Sequence, residues 1–331
     1  MNAISLKSFN SLGVESETSE LVHIRTLEEL ERATEFDGPL YLLGEGTNVV
    51  LLRLLEGRTL KINIKGVECI PSSNGSYKLR VGAGENWHRL VAYTLHKRIN
   101  GLENLALIPG SVGAAPFQNI GAYGRELSKL IESVEVFDIV TRRRRKLSSA
   151  HCSFGYRTSV FRTEKLTRCV ITHVNLVLGQ QGLRFDYIDL QRRLNQYSRD
   201  EITARRIAAA VIQIRRNKLP DWRRLGNLGS FFKNPVIKEA EYRQLNREVG
   251  IIGYPFLDKV RIPAARLIEV CGWKGRCIDG VEVWAKQPLV LVNRSARRGV
   301  QFLTVATSIV NSIKSRFDID LELEPVVLGR D

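Results

Sequence analysis

Pro109-Gly110-Ser111-Val112-Gly113-Ala114-Ala115-Pro116-Phe117-Gln118-Asn119-Ile120-Gly121-Ala122-Tyr123-Gly124 is dominated by small residues over a stretch too long for a simple turn, with polar Gln118 and Asn119 set into it. Two other glycine-rich turns lie upstream, Gly44-Glu45-Gly46-Thr47-Asn48 and Gly82-Ala83-Gly84-Glu85-Asn86. Glycine has no Cβ and tolerates positive φ, so such turns let backbone N–H groups approach and cradle a diphosphate. Any one of them alone reads as an ordinary tight turn; three close together require a common cause. Neither upstream turn completes Gly-x-Gly-x-x-Gly, because Val49 and Trp87 stand where the third glycine belongs, and no Walker loop occurs. A Rossmann site or a P-loop is therefore disfavoured.

Around these turns, stretches of period 2 and of helical period alternate, the mark of a mixed α and β chain. Thr26 with Glu29 makes a capping box ahead of a helix running to about Phe36, and 39–43 reads as a buried strand. Strands are also expected at 59–64, 77–81, 289–292 and 319–328. An amphipathic helix over 86–98 puts Trp87, Leu90, Val91 and Leu95 on one face, and Gly101 ends it. Later helices are expected at 203–217, 238–249, 263–271 and 300–317, with no internal repeat and no low-complexity linker.

The chain has 331 residues, 44% of them hydrophobic, enough to bury the cores of two or three domains. No apolar run reaches the length of a membrane span, and residues 1–9 lack a basic-then-apolar leader pattern, so an intracellular protein is expected. Five scattered cysteines, without a Cys-x-x-Cys pair, argue against a disulfide framework and against a zinc site. A net charge of +15 raises the possibility of a nucleic-acid partner. The excess is spread along the chain, however, and its one dense run, 142–146, has no aromatic platform beside it. That run reads as a solvated hairpin or loop tip, and no nucleic acid is expected.

The run from Gly101 to Gly124, with the four islands described next, resembles the UDP-N-acetylenolpyruvoylglucosamine reductase family, of the vanillyl-alcohol-oxidase-like FAD-binding fold, over nearly the whole chain. The resemblance implies an α+β architecture: a two-lobed FAD-binding domain of the vanillyl-alcohol-oxidase/PCMH type followed by an α+β substrate-binding domain. The expected divisions are 1–65 for lobe 1, 66–205 plus 319–331 for lobe 2, and 206–318 for the substrate domain. It also implies that Gly44, Glu45, Gly46, Thr47, Asn48, Gly82, Ala83, Gly84, Glu85, Pro109, Gly110, Ser111, Val112, Gly113, Ala114, Gln118, Asn119 and Gly121 hold FAD. None of the five histidines lies in these turns, so the flavin is expected to be non-covalent.

In the first island, Phe154-Gly155-Tyr156-Arg157-Thr158-Ser159, the family likeness makes Arg157 the catalytic arginine, a fork able to hold a substrate carboxylate in two parallel hydrogen bonds. The segment 215–221 resembles the family's Arg-x-x-Lys-Leu-Pro-Asp, with Lys218 reaching substrate phosphate or carboxylate; read alone, Lys218 is a helix C-terminal cation. In Gly226-Asn227-Leu228-Gly229-Ser230-Phe231-Phe232-Lys233-Asn234-Pro235, Ser230 is the implied proton donor, a hydroxyl among apolar neighbours. The family ends in Leu-Glu-Pro-Glu-Val before a glycine. A gapless register over 317–329 puts Glu324 at the catalytic acid, with Glu322 on the same face of a strand and Pro325 as a departure. Tyr123, Tyr156, Tyr187, Lys218, Asn234, Tyr254 and Gln287 are the implied substrate contacts. For the tyrosines, an amphipathic place at the core edge is an equal alternative. Residues 279–284, with Asp279, Glu282 and Trp284, depart from a small apolar stretch in relatives.

The activity so implied is NADPH-dependent reduction of UDP-N-acetylglucosamine enolpyruvate to UDP-N-acetylmuramate, a step in bacterial cell-wall precursor synthesis. NADPH reduces FAD, hydride passes from flavin N5 to the enolpyruvyl C3, Ser230 protonates C2, and Arg157 with Glu324 stabilises the enolate-like intermediate. The expected setting is cytoplasmic, with a small-molecule substrate, no membrane partner, no metal and a monomeric chain. Two alternatives stand beside it: a flavin oxidase of the same fold, and a basic RNA-associated protein with a decayed flavin site.

Overall fold

The structure is a computed structural model that describes residues 3–163, 166 and 168–331. The chain divides into two compact units, one of 20–45 and 57–216, the other of 1–19, 46–56 and 217–331. This division follows contact density and is a different cut from the three segments expected above.

The unit of 20–45 and 57–216 is organised by a five-stranded antiparallel sheet in the order Arg143–Ser148, Ile131–Asp138, Cys169–Leu178, Tyr77–Gly82, Val67–Pro71. Strand alternation sends Leu79, Val81, Val134, Val136, Val174 and Leu176 to one face. There they pack with Trp87, Leu90 and Val91 of helix Trp87–His96 and with Ile207, Val211 and Ile214 of helix Ala204–Lys218. Asn86 caps the first of these helices, its Oδ1 accepting from Arg89 N at 3.0 Å. A smaller core gathers Ile24, Leu30, Ala33, Leu60, Ile62 and Ile64 with Ala83, Phe137 and Val170. Its helix, Leu27–Ala33, starts at Thr26, whose hydroxyl accepts from Glu29 N. Leu40–Leu43 lies parallel to the strand Leu54–Ile62, in register Leu40 with Arg58 through Leu43 with Lys61.

The basic run 142–146 forms the turn and outermost strand of the Ile131–Asp138/Arg143–Ser148 hairpin, as its polarity suggested. Part of it is paired: Arg142 lies 2.7 Å from Glu35, and Arg144 2.9 Å from Glu31.

The other unit holds a four-stranded sheet, Asn227–Ser230, Val290–Asn293, Val281–Val283, Cys277–Ile278, and a three-stranded one, Val236–Ile237, Lys259–Arg261, Tyr254–Phe256. Its core collects Leu12, Val50, Phe231, Phe232, Ile268, Phe302 and Ile309, fed by helices Ala264–Val270 and Gly299–Phe317. The chain's last strand is shorter than expected. Only Val326–Leu328 is regular, running parallel to Val49–Leu51, while Leu323 makes a single bridge to Phe232. Between them stands Pro325, which has no N–H to continue a ladder.

Candidate flavin cradle and active site

In the unit of 20–45 and 57–216 the second and third glycine turns meet, Gly44 of the first abuts Ser111, and two kinds of glycine can be distinguished. A Cβ at Gly84 would lie 2.5 Å from the Asn63 backbone, and one at Gly113 2.6 Å from the Ala83 Cβ, so these glycines permit backbone to pack on backbone. Their amides are spent within the chain: Gly82 N donates to Gly66 O, Ala83 N to Thr172 O, Gly84 N to Ile64 O, Glu85 N to Gly82 O and Gly113 N to Ala83 O. The second turn is thus a support rather than a row of donors.

Donors remain where the first turn meets the third. A Cβ at Gly44 would come within 2.8 Å of Ser111 Oγ. Among the described residues nothing accepts from the N–H of Glu45 or of Ser111. Asn86 Nδ2 donates to Glu45 Oε1 at 2.8 Å and ties the first turn to the second. Two lysines supply positive charge, Lys61 Nζ donating to Gly44 O and Lys65 Nζ to Gly84 O. Open amides, a Cβ-free approach and two cations suit the diphosphate of FAD. Val112 and Ala115 turn into the core and so support the third turn from behind.

Asn119 is in left-handed conformation. Its Nδ2 donates to Gly155 O at 3.0 Å and its Oδ1 accepts from Ser128 N at 2.9 Å. Ser159 Oγ donates to Phe117 O at 2.7 Å. The loop carrying Tyr156 and Arg157 is therefore fastened to the 117–119 turn on both sides. Arg157 itself has φ of 53°, a conformation that side chains rarely adopt without such support.

Arg157 belongs to a cluster that the sequence reading only partly named. Arg215, on helix Ala204–Lys218, lies near Tyr123, and its Nε is buried without a hydrogen-bond partner among the described residues. Burial pushes the Arg215 guanidinium down; Tyr123 opposes that, and neighbouring Arg157 adds to it. Tyr123 in turn meets Tyr187 edge to face, ring centroids 5.4 Å apart at 82°. The forces on Arg215 come from a phenol and a second cation rather than a carboxylate, and two adjoining guanidinium groups call for an anion. Arg215 could have been found from its place at the head of the 215–221 island.

In the other unit the segment carrying Glu324 runs beside the one carrying Ser230. Ser230 ends the strand Asn227–Ser230 after Gly229, whose φ is 71° and whose N–H donates to Asn227 Oδ1 at 2.9 Å. From there the chain runs beside its own C-terminal segment: Glu324 N donates to Phe231 O at 3.0 Å and Lys233 N to Glu322 O at 2.9 Å. Glu324 is 7% exposed. The Glu322 side chain is 72% exposed and pairs with Lys233 Nζ at 2.7 Å. The two glutamates, expected on one face of one strand, thus have opposite environments, because the segment before Pro325 is irregular.

Of the remaining candidates, Asn234 Oδ1 accepts from Ala264 N and so starts helix Ala264–Val270. Tyr254 is 43% exposed, on the hairpin whose tip residue Leu257 is 92% exposed. Gln287 closes a turn, donating its N–H to Trp284 O and accepting from Val290 N. The 279–284 departures are absorbed locally: Glu282 accepts from Arg294 Nε, and Trp284 Nε1 donates to Lys218 O at 3.0 Å. Trp284 thereby steadies the backbone that carries Lys218.

An amide-lined, cationic turn cluster on an α+β frame suits a flavoprotein, and residues 24–143 match an FAD-binding domain family. Residues 221–328 match the C-terminal domain family of UDP-N-acetylenolpyruvoylglucosamine reductase. The chain is 41% identical over 332 residues to the UDP-N-acetylenolpyruvoylglucosamine reductase of Burkholderia multivorans, covering 98% of this chain and 95% of that one. To that of Burkholderia cenocepacia it is 42% identical over 295 residues, 88% of this chain and 84% of the relative. The crystal structure of the reductase from Thermus caldophilus superposes with a TM-score of 0.68 at 24% identity, covering 99% and 98% of the two chains. This chain belongs to the UDP-N-acetylenolpyruvoylglucosamine reductase family, FAD-dependent oxidoreductases.

Proposed function

We propose that the protein reduces the enolpyruvyl ether of UDP-N-acetylglucosamine enolpyruvate to the lactyl ether of UDP-N-acetylmuramate in the cytoplasm, with NADPH as electron source, as a step in peptidoglycan precursor synthesis. Bound FAD supplies the redox chemistry, taking a hydride from NADPH and passing it to the alkene. The chain's residues do the rest. The amides of Glu45 and Ser111 hold the diphosphate. Arg157 and Arg215 take the substrate's anionic groups, and Tyr123, Tyr156, Tyr187, Lys218, Asn234, Tyr254 and Gln287 position the nucleotide sugar. As hydride reaches the terminal carbon C3, negative charge develops at C2 and spreads onto the carboxylate, where Arg157 and Glu324 stabilise it. Ser230 delivers its hydroxyl proton to C2 and completes the reduction.

The observation that carries this reading is the burial of Glu324 on the strand of chain hydrogen-bonded beside Ser230, while Glu322 stays in solvent. Anaerobic stopped-flow tests the proposal. NADPH should bleach the flavin absorbance, and the enolpyruvyl sugar should then restore it. Bleaching by an alcohol and restoration by oxygen, with no restoration by the enolpyruvyl sugar, would replace it with an oxidase.

A further inference from the structure

Lys61 sits in the strand Leu54–Ile62 between Leu60 and Ile62, both buried, and is itself half-buried. Its partner across the parallel pair is Leu43, immediately before the first glycine turn, and its Nζ donates to the carbonyl of Gly44. No carboxylate lies within ion-pair distance of Lys61 among the described residues. Glu45, the nearest acid, has its carboxylate engaged by Asn86. Burial pushes the Lys61 ammonium down from the usual lysine range, Glu45 pulls it back up, and Lys65 lowers it further. A half-buried cation with this surplus would be stabilised by an anion. The carbonyl it holds belongs to the residue that abuts Ser111, where two backbone amides also lack acceptors.

We propose that Lys61 is a phosphate-binding residue for the FAD diphosphate, its ammonium held at the Gly44 carbonyl beside the turn whose Gly44 abuts Ser111. Lys65 serves this less: it is exposed and shares its charge with Glu85 at 4.0 Å. The inference rests on the glycine turns being the flavin site.

The experiment is flavin release from the full-length holoenzyme, read as free-flavin fluorescence on serial dilution at several salt concentrations, for wild type, Lys61→Met, Lys61→Arg and Gly44→Ala. Lys61→Met should weaken FAD binding about tenfold or more, as loss of a charge-assisted bond implies, and flatten its salt dependence. Lys61→Arg should restore both. If Gly44→Ala weakens binding while Lys61→Met keeps wild-type affinity and salt dependence, the role of Lys61 is overturned and the cradle stands. Wild-type affinity in both variants overturns the cradle itself. Weakened binding in Lys61→Met with unchanged salt dependence assigns Lys61 to scaffolding and also overturns the proposal. If Lys61→Met does not fold, Lys61→Gln takes its place and is judged by the same two readings.

Discussion

Asn119 grips Gly155 through a 3.0 Å hydrogen bond from its Nδ2, two residues before Arg157. The same side chain takes Ser128 N–H on its other end, so one amide bridges three segments and leaves Arg157 little freedom in its left-handed conformation. Replacing Asn119 by Ala leaves the carbonyl of Gly155 and the amide of Ser128 without partners and lets the Arg157 loop shift. A displacement near 1 Å at a catalytic group costs about 100-fold in rate. Asn119→Ala should therefore lower kcat/KM for the enolpyruvyl sugar by about that factor and leave NADPH bleaching of the flavin close to wild type. Equal losses in both half-reactions would show that Asn119 serves the flavin instead.

Burial lowers the Arg215 guanidinium, and among the described residues the groups acting on it are the Tyr123 phenol and the Arg157 cation, an arrangement an anion would stabilise. Arg215→Met should thus leave the melting temperature of the substrate-free enzyme unchanged or higher while KM for the UDP-sugar rises about tenfold or more. Arg215→Lys should recover only part of the affinity, since a single ammonium cannot replace the planar fork. A fall in melting temperature with unchanged KM would make Arg215 a structural residue.

Ser230 and Glu324 make a paired test. Positioned proton transfer contributes about 10² to 10⁴ in rate. Ser230→Ala should keep NADPH bleaching and slow reoxidation by the enolpyruvyl sugar within that range. Glu324→Gln should lower turnover far more than Glu322→Gln, whose parent side chain lies in solvent against Lys233. The opposite ranking would move the acid to Glu322.

What the sequence made legible and what it concealed divide along the range of the interactions. The Asn86 cap, the apolar stripe of Trp87, Leu90 and Val91, and the three glycine turns are local patterns, and they appear where the spacing put them. The reason for Gly84 and Gly113 was not legible: it lies in Asn63 and Ala83, far along the chain, and it makes those glycines contact points rather than amide donors. Lys61 was passed over because a lysine in a strand ordinarily faces water; only the register with Leu43 brings it to Gly44. Arg215 was quoted as part of an island but gained meaning only through Tyr123 and Arg157. Alternation misjudged Glu322 and Glu324 because it assumed a regular strand up to Pro325.

Glu135 predicts how the sheet responds to acid. Arg80 donates to it in a fork, Nε to Oε1 at 2.9 Å and Nη2 to Oε2 at 2.8 Å, and Asn175 Nδ2 donates to Oε1 at 3.1 Å. The Arg80 bonds above all, then Asn175, hold the Glu135 carboxyl down at about 2 against burial. Neighbouring His173 is lowered, first by burial and then by Arg80, so it stays neutral at pH 7 and adds no cation to the cluster. A folded value below the unfolded one means that the native state binds fewer protons, so this stabilisation is whole above pH 4.5 and disappears between 4.5 and about 2. The shift corresponds to about 3 kcal/mol at most, and with the side chain 23% exposed about 2 kcal/mol is the expected cost of Glu135→Gln at pH 7. Urea unfolding of the two proteins should differ by that amount at pH 7 and converge as the pH is brought toward 2. A difference that stayed constant between pH 7 and pH 3 would place the effect in packing rather than in charge.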